Sequence, residues 1–157
     1  MTELSIGNAA PEFDLPTDGG SSVKLGDLRG KPVVLYFYPK DDTPGCTTEA
    51  LDFTAAREDF DALGAVVIGV SRDTVAKHDK FKAKHDLKVI LGADEDGAVC
   101  ESYGVWVLKK LYGREYMGIE RATFLIDGQG KVAKIWRKVK VRGHVADVLE
   151  SVRALDA

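Results

Sequence analysis

At 157 residues, with 22 Lys and Arg against 25 Asp and Glu and a formal charge of −3, the chain is sized for one domain over 1–157 with a full core. It carries no cationic excess to hold nucleic acid or an anionic membrane. Two cysteines at unrelated positions exclude a secreted disulfide framework, and with no leader pattern in Met1–Gly7 and no stretch of transmembrane length, a cytoplasmic protein with free thiols is expected.

Taken in chain order, the first segment reads as a hairpin. Phe13 and Leu15 alternate with polar residues, Asp18-Gly19-Gly20-Ser21 supplies a turn, and Val23 and Leu25 follow. Val33 to Tyr38 is a continuous apolar run, the mark of a buried strand, and Pro39 cannot continue it as a central strand. A helix is expected next, with Thr43 as N-cap, Pro44 at its first position and Cys46 at its third. Phe53, Ala56, Phe60 and Leu63 continue one apolar face, and Gly64 ends it.

Strand 65–70 precedes a helix over 74–85 whose Lys80, Lys82, Lys84 and His85 suit its negative end. Strand 87–91 follows, then a short helix within 94–103 that holds Cys100, and a loop over 106–120 rich in Lys, Gly and Tyr. Residues 122–126 and 132–136 flank Asp127-Gly128-Gln129-Gly130, the clearest hairpin signal. The last helix has Val145, Val148, Leu149, Val152 and Leu155 on one face. The order β-α-β-α-β, short helix, β-β-α predicts an α/β sheet of thioredoxin-like type with added elements. No GxGxxG opening points to a dinucleotide.

Cys46 is the candidate chemical centre. At a helix start the free N–H groups and the positive dipole end favour thiolate, the nucleophilic form of cysteine. A roughly thirtyfold gain in thiolate, the scale such a setting can give, is about 2 kcal/mol. Enzymes typically lower barriers by about 8 kcal/mol or more, so other residues must position substrate and stabilise charge. His78, Lys82 and His85 form a helical stripe, read as a solvated basic face rather than a metal site. Residues 136–142, alternating basic and apolar, read as an exposed strand edge guarded by lysines. Trp106 and Tyr112 fall in the expected loop, where either could line a pocket.

The pattern Pro39-x-x-x-Thr43-x-x-Cys46 with Arg121 at the head of a later strand resembles the active-site signature of peroxiredoxins. Residues 37–49, 116–121 and 123–127 are similar to the PrxQ, or bacterioferritin comigratory, branch, and the resemblance covers nearly the whole chain. It implies a thioredoxin-like fold with a peroxiredoxin N-terminal hairpin and inserted elements. It implies a thiol peroxidase for hydrogen peroxide and organic hydroperoxides that needs no cofactor or metal and works as a monomer. Cys46 is then the nucleophile that becomes a sulfenic acid, Thr43 and Arg121 hold thiolate and peroxide, Pro39 covers the pocket, and Glu49 supports Arg121.

Two departures matter. The place three residues after Cys46, where a thioredoxin has its second cysteine, is Glu49, and the places where PrxQ relatives carry a resolving cysteine are Leu51 and, in another branch, near Lys82. A one-cysteine cycle is therefore expected, completed by thioredoxin, glutaredoxin or a small thiol. The alternatives are a Cys46–Cys100 disulfide cycle, or a thioredoxin-fold redox-sensing or binding protein without efficient turnover.

Overall fold

The computed structural model describes residues 4–155; the leader reading falls partly on Met1–Glu3, outside them. A short hairpin pairs β1 (Asp14–Pro16) with β2 (Ser22–Lys24), as its alternation predicts. β3 (Val33–Phe37) is buried along its whole length and lies in the middle of a five-stranded sheet, which explains its unbroken apolar run. β4 (Val66–Ser71) pairs parallel with β3, and β5 (Ile90–Ala93) pairs parallel with β4. On the other side β8 (Ala122–Ile126) and β9 (Val132–Trp136) add antiparallel, giving the order β5-β4-β3-β8-β9. This is the expected thioredoxin-like α/β sheet.

Alternation along β3 divides the core. Val33, Leu35 and Phe37 face one layer with Phe124, Tyr103 and Cys100, while Val34 and Tyr36 face another with Cys46, Phe53 and the last helix. That second layer seats α1 (Pro44–Ala55): Tyr36 stacks on Phe53 with ring centroids 4.6 Å apart. Tyr36 also lies over Gly69 of β4, where an added Cβ would fall 2.5 Å from the ring, so glycine there lets the platform under α1 lie flat. α5 (His144–Leu155) packs Val145, Val148, Leu149 and Val152 on the same side.

Several boundaries differ from expectation for identifiable reasons. The helix expected to run to Gly64 is two, since Ala56 leaves helical geometry at φ −92, ψ 5 and α2 (Arg57–Ala62) follows. α3 (Val75–His85) starts on Thr74, whose hydroxyl accepts from Lys77 N, and it ends at Asp86 with φ 51. The left-handed turn and a bond from Lys88 N to Thr54 Oγ1 delay β5 from 87 to Ile90. Cys100 lies in α4 (Ala98–Ser102).

The expected loop over 106–120 is instead a hairpin, β6 (Trp106–Leu111) with β7 (Arg114–Ile119). Its turn residues Tyr112 and Gly113 both have positive φ, 51 and 77, the geometry of a two-residue type I′ turn. Tyr112 is at the exposed tip of the hairpin. The run 136–142 is not a strand edge either. Only Trp136 belongs to β9; Lys138 has φ 48, outside strand geometry, and Val139 N bonds back to Arg121 O at 3.0 Å. Among the described residues no helix is long and apolar enough to cross a membrane.

Candidate active site

β3 delivers the chain to Pro39, a tight segment turns it, and α1 begins beneath Cys46. The first ladder bond of the helix is Thr47 N to Thr43 O, 2.8 Å, so the Gly45 and Cys46 amides stand ahead of the ladder. Thr43 occupies the N-cap position but does not cap with its side chain. Its hydroxyl donates to Lys40 O at 2.8 Å, closing the 40–43 turn on itself. The expected contact from Thr43 to the cysteine is therefore absent in this conformation, and the hydroxyl keeps its lone pairs as acceptors.

Arg121, immediately before β8, reaches across to the helix start. Nη1 donates to Glu49 Oε1 at 2.7 Å and Nη2 to Cys46 Sγ at 3.3 Å. Cys46 is 1% exposed and Glu49 fully buried. Burial works against the guanidinium's charge, but Glu49 and Cys46 beside it hold its pKa above the usual value. Gly45 makes the approach possible, since a Cβ there would stand 3.1 Å from Arg121 Nη2. The bond from Val139 N to Arg121 O fixes the arginine's backbone from the other side. Cys46, Arg121 and Glu49 are thus brought together as the sequence predicts, one turn of α1 carrying the first and third.

Glu49 is under tension. Burial, its largest influence, raises its pKa to about 7 against the opposing pull of Arg121, and its Oε2 has no partner among the described residues. Between about pH 4.5 and 7 the folded chain then binds more protons at Glu49 than the unfolded chain does, so this group's contribution to stability falls as pH rises through that window. The denaturation midpoint of the wild type should therefore lose, between about pH 5 and pH 8, a component that Glu49→Gln does not lose. Parallel midpoint curves for the two proteins would contradict this.

Pro39 lines a cleft of about 480 Å³ beside the segment, together with Lys40, Trp106, Lys109, Met117 and Ile119. Much of its wall is the β6–β7 hairpin that the sequence pattern leaves as loop. Strands exposed along most of their length carry no apolar alternation, and Tyr-Gly is not the usual turn pair. The two positions where relatives were expected to carry a second thiol hold Leu51, exposed on α1, and Lys82, paired with Asp18 at 2.7 Å.

Cys100 is placed on the opposite side of the sheet from Cys46, in the other core layer, and both are free thiols. Burial, then a hydrogen bond and charge from Asp94, push the Cys100 thiol far above its ordinary pKa. The stripe read as a solvated basic face is the clearest correction. His78 is fully buried, with Nδ1 2.6 Å from Asp41 Oδ2, while His85 Nε2 and Lys84 Nζ bind Asp42. The signal available for this was the pair Asp41-Asp42 directly after Pro39-Lys40.

Known proteins resemble the chain in sequence and in fold. The model of the AhpC/TSA family matches residues 6–135. The chain is 55% identical over 150 residues to Peroxiredoxin Bcp of Bacillus subtilis, covering 96% of each chain. Among solved structures it is similar to the bacterioferritin comigratory protein of Xanthomonas campestris, studied for its alkyl peroxide reduction activity, with a TM-score of 0.90, 44% identity and 98% of each chain covered. It is also similar to a PrxQ mutant of Xylella fastidiosa, with a TM-score of 0.93, 37% identity and full coverage of both chains.

Proposed function

Since the chain belongs to the AhpC/TSA family and is a peroxiredoxin of the PrxQ type, we propose that Cys46 is its peroxidatic nucleophile, served by Arg121 and Thr43. The observation that carries this is the Arg121 guanidinium held between the Cys46 sulfur and a buried Glu49. The thiolate attacks one peroxide oxygen, the S–O bond forms as the O–O bond breaks, and sulfur gives two electrons. The other oxygen leaves as alkoxide or hydroxide and takes a proton to become alcohol or water. Cys46 is left as sulfenic acid.

Arg121, already donating to sulfur, supplies N–H groups toward the oxygens as negative charge moves onto them, the kind of preorganised donor worth about 3–4 kcal/mol. Thr43, whose proton is engaged by Lys40 O, offers lone pairs to the peroxide O–H and so fixes which oxygen faces the sulfur. Pro39 forms part of the wall that limits water. Hydrogen peroxide and organic hydroperoxides are the substrates, the latter in keeping with the alkyl peroxide reduction activity of the Xanthomonas relative. No cofactor or metal enters the cycle, and the working unit is a cytoplasmic monomer folded as one domain.

The cycle uses one cysteine. A thiol of thioredoxin, glutaredoxin or a small molecule attacks the sulfenic sulfur, releasing water and leaving a mixed disulfide, which a second thiol reduces. The separate core layers of Cys46 and Cys100, and the strong bias of Cys100 toward its neutral thiol, favour this over an internal disulfide. After one equivalent of peroxide, mass spectrometry should find Cys46 one oxygen heavier or trapped by a sulfenate reagent. Cys100→Ser should keep the wild-type rate with a loss of about 1–2 kcal/mol in stability from its buried hydroxyl. A Cys46–Cys100 disulfide that disappears in that variant would establish the two-cysteine cycle instead.

A further inference from the structure

The segment that carries Pro39 and Thr43 is fastened to α3 by its two aspartates, and no step above uses that fastening. Asp41, nearly buried, accepts from Tyr38 Oη on Oδ1 at 2.5 Å and meets His78 Nδ1 on Oδ2 at 2.6 Å, while its own N–H donates to Asp73 Oδ2 at 2.8 Å. Asp73 is in turn held by Ser71 Oγ at 2.7 Å. Asp42 sits at φ 59, in the left-handed region, and its carboxylate is held by Lys84 and His85.

The chemistry at His78 is constrained from both sides. Nε2 lies 2.9 Å from the Gly92 carbonyl, which can only accept, so Nε2 carries a proton. Nδ1 faces a carboxylate at 2.6 Å, a contact that needs a second proton between the two atoms. Without it the imidazole lone pair and a carboxylate oxygen would confront each other in a site closed to water. We infer that His78 is a positioning residue for the peroxidatic cysteine: with the proton it shares with Asp41, it holds the 39–43 segment in the arrangement from which Cys46 reacts, and loss of that proton releases the segment. This rests on the peroxidase reading above.

The groups facing His78 set the direction of its titration. Burial disfavours the imidazolium. Asp41, the Gly92 carbonyl and Asp73 outweigh it and keep the proton above the ordinary histidine range. Tyr38 contributes a hydroxyl, 3.5 Å from Nδ1, and β5 only its backbone. Of the other basic groups on α3, Lys82 pairs with Asp18, Lys84 and His85 with Asp42, and Lys77 and Lys80 are exposed. A raised histidine keeps its proton to higher pH than a free imidazole and loses it as pH climbs through the folded value. The fastening therefore persists above the ordinary histidine range and fails as pH rises further.

The test compares wild type, His78→Phe and His78→Asn. Stopped-flow measurement gives the rate of Cys46 oxidation by hydrogen peroxide from about pH 6 to 10, and hydrogen exchange follows the Asp41 amide in the same samples. His78→Phe should slow oxidation roughly 10–100-fold at neutral pH, the scale of a displacement of about 1 Å at a reacting centre, with the Asp41 amide exposed. His78→Asn, which can still donate to Asp41 but cannot titrate, should recover the neutral rate to within about fivefold. It should also lack the alkaline loss of rate and of amide protection, beyond the intrinsic rise of exchange with pH, that wild type shows.

A folded His78→Phe that oxidises within twofold of wild type overturns the inference, as does His78→Asn with the wild-type alkaline loss. If the phenylalanine variant does not fold, the alkaline behaviour of the asparagine variant decides alone. Failure of wild-type Cys46 to react with peroxide would instead sink the peroxidase reading, and amide exchange would still decide the fastening.

Discussion

Cys46→Ser is expected to bring peroxide turnover, measured with an excess of thiol reductant, down at least about a thousandfold, to the level of buffer. The whole proposed cycle passes through this sulfur: it is the two-electron donor, the acceptor of oxygen, and the atom that the reducing thiol attacks. A serine hydroxyl gives up its proton far less readily than a thiol, and among the described residues no base is hydrogen-bonded at this position. Arg121, which donates to the sulfur, can stabilise an oxyanion but cannot remove a proton. The substitution is nearly isosteric in a tightly packed position, and the hydroxyl can accept the arginine bond. Lost activity should therefore accompany a normal melting curve. Wild-type consumption of peroxide by the folded serine variant would remove Cys46 from the chemistry altogether.

What could be read from the chain in advance follows from where each signal resides. β3 and β8 are covered on both faces, so their apolar runs stand out, and the β8–β9 turn is spelled by Asp-Gly-Gln-Gly. Pro44-Gly45-Cys46 is equally local: each residue is constrained by the helix start itself or, for Gly45, by Arg121 beside it. The β6–β7 hairpin was hidden because its strands are mostly solvent-facing and its turn is made by Tyr112-Gly113.

His78 was misread for a different reason. Its helical neighbours Lys77, Lys80 and Lys84 are exposed or at the surface, so periodicity assigns the stripe to solvent, while the acid that draws His78 inward is 37 residues away. Spacing within one helix cannot reveal a partner supplied by another segment. Thr43 departs for a local reason: its residue type suits a side-chain cap, yet the side chain turns back to donate to Lys40 O, and its oxygen accepts no bond from the helix amides.

Arg121→Gln should slow Cys46 oxidation by hydrogen peroxide about 10²–10³-fold, the range for loss of one preorganised donor to developing negative charge. A second consequence must be separated from it. Removing the guanidinium strands Glu49, fully buried and already lacking a partner on Oε2, and breaking a buried ion pair typically costs about 3–5 kcal/mol. Because burial already raises Glu49 to about 7, and losing Arg121 removes the influence that opposes the rise, the carboxyl will take up a proton and shed part of that cost in mildly acidic solution. The single variant should thus be least stable at alkaline pH. Adding Glu49→Gln removes the stranded charge, so the double variant should regain most of the stability and lose the pH dependence, while oxidation stays slow. Stopped-flow rates and denaturation midpoints on the four members of this cycle measure the two effects independently. If the double variant regains its rate together with its stability, Arg121 serves the fold rather than the reaction. If rate stays low at restored stability, the guanidinium acts on the charge that moves from sulfur to oxygen, the part of the barrier that a helix start alone leaves unsupported.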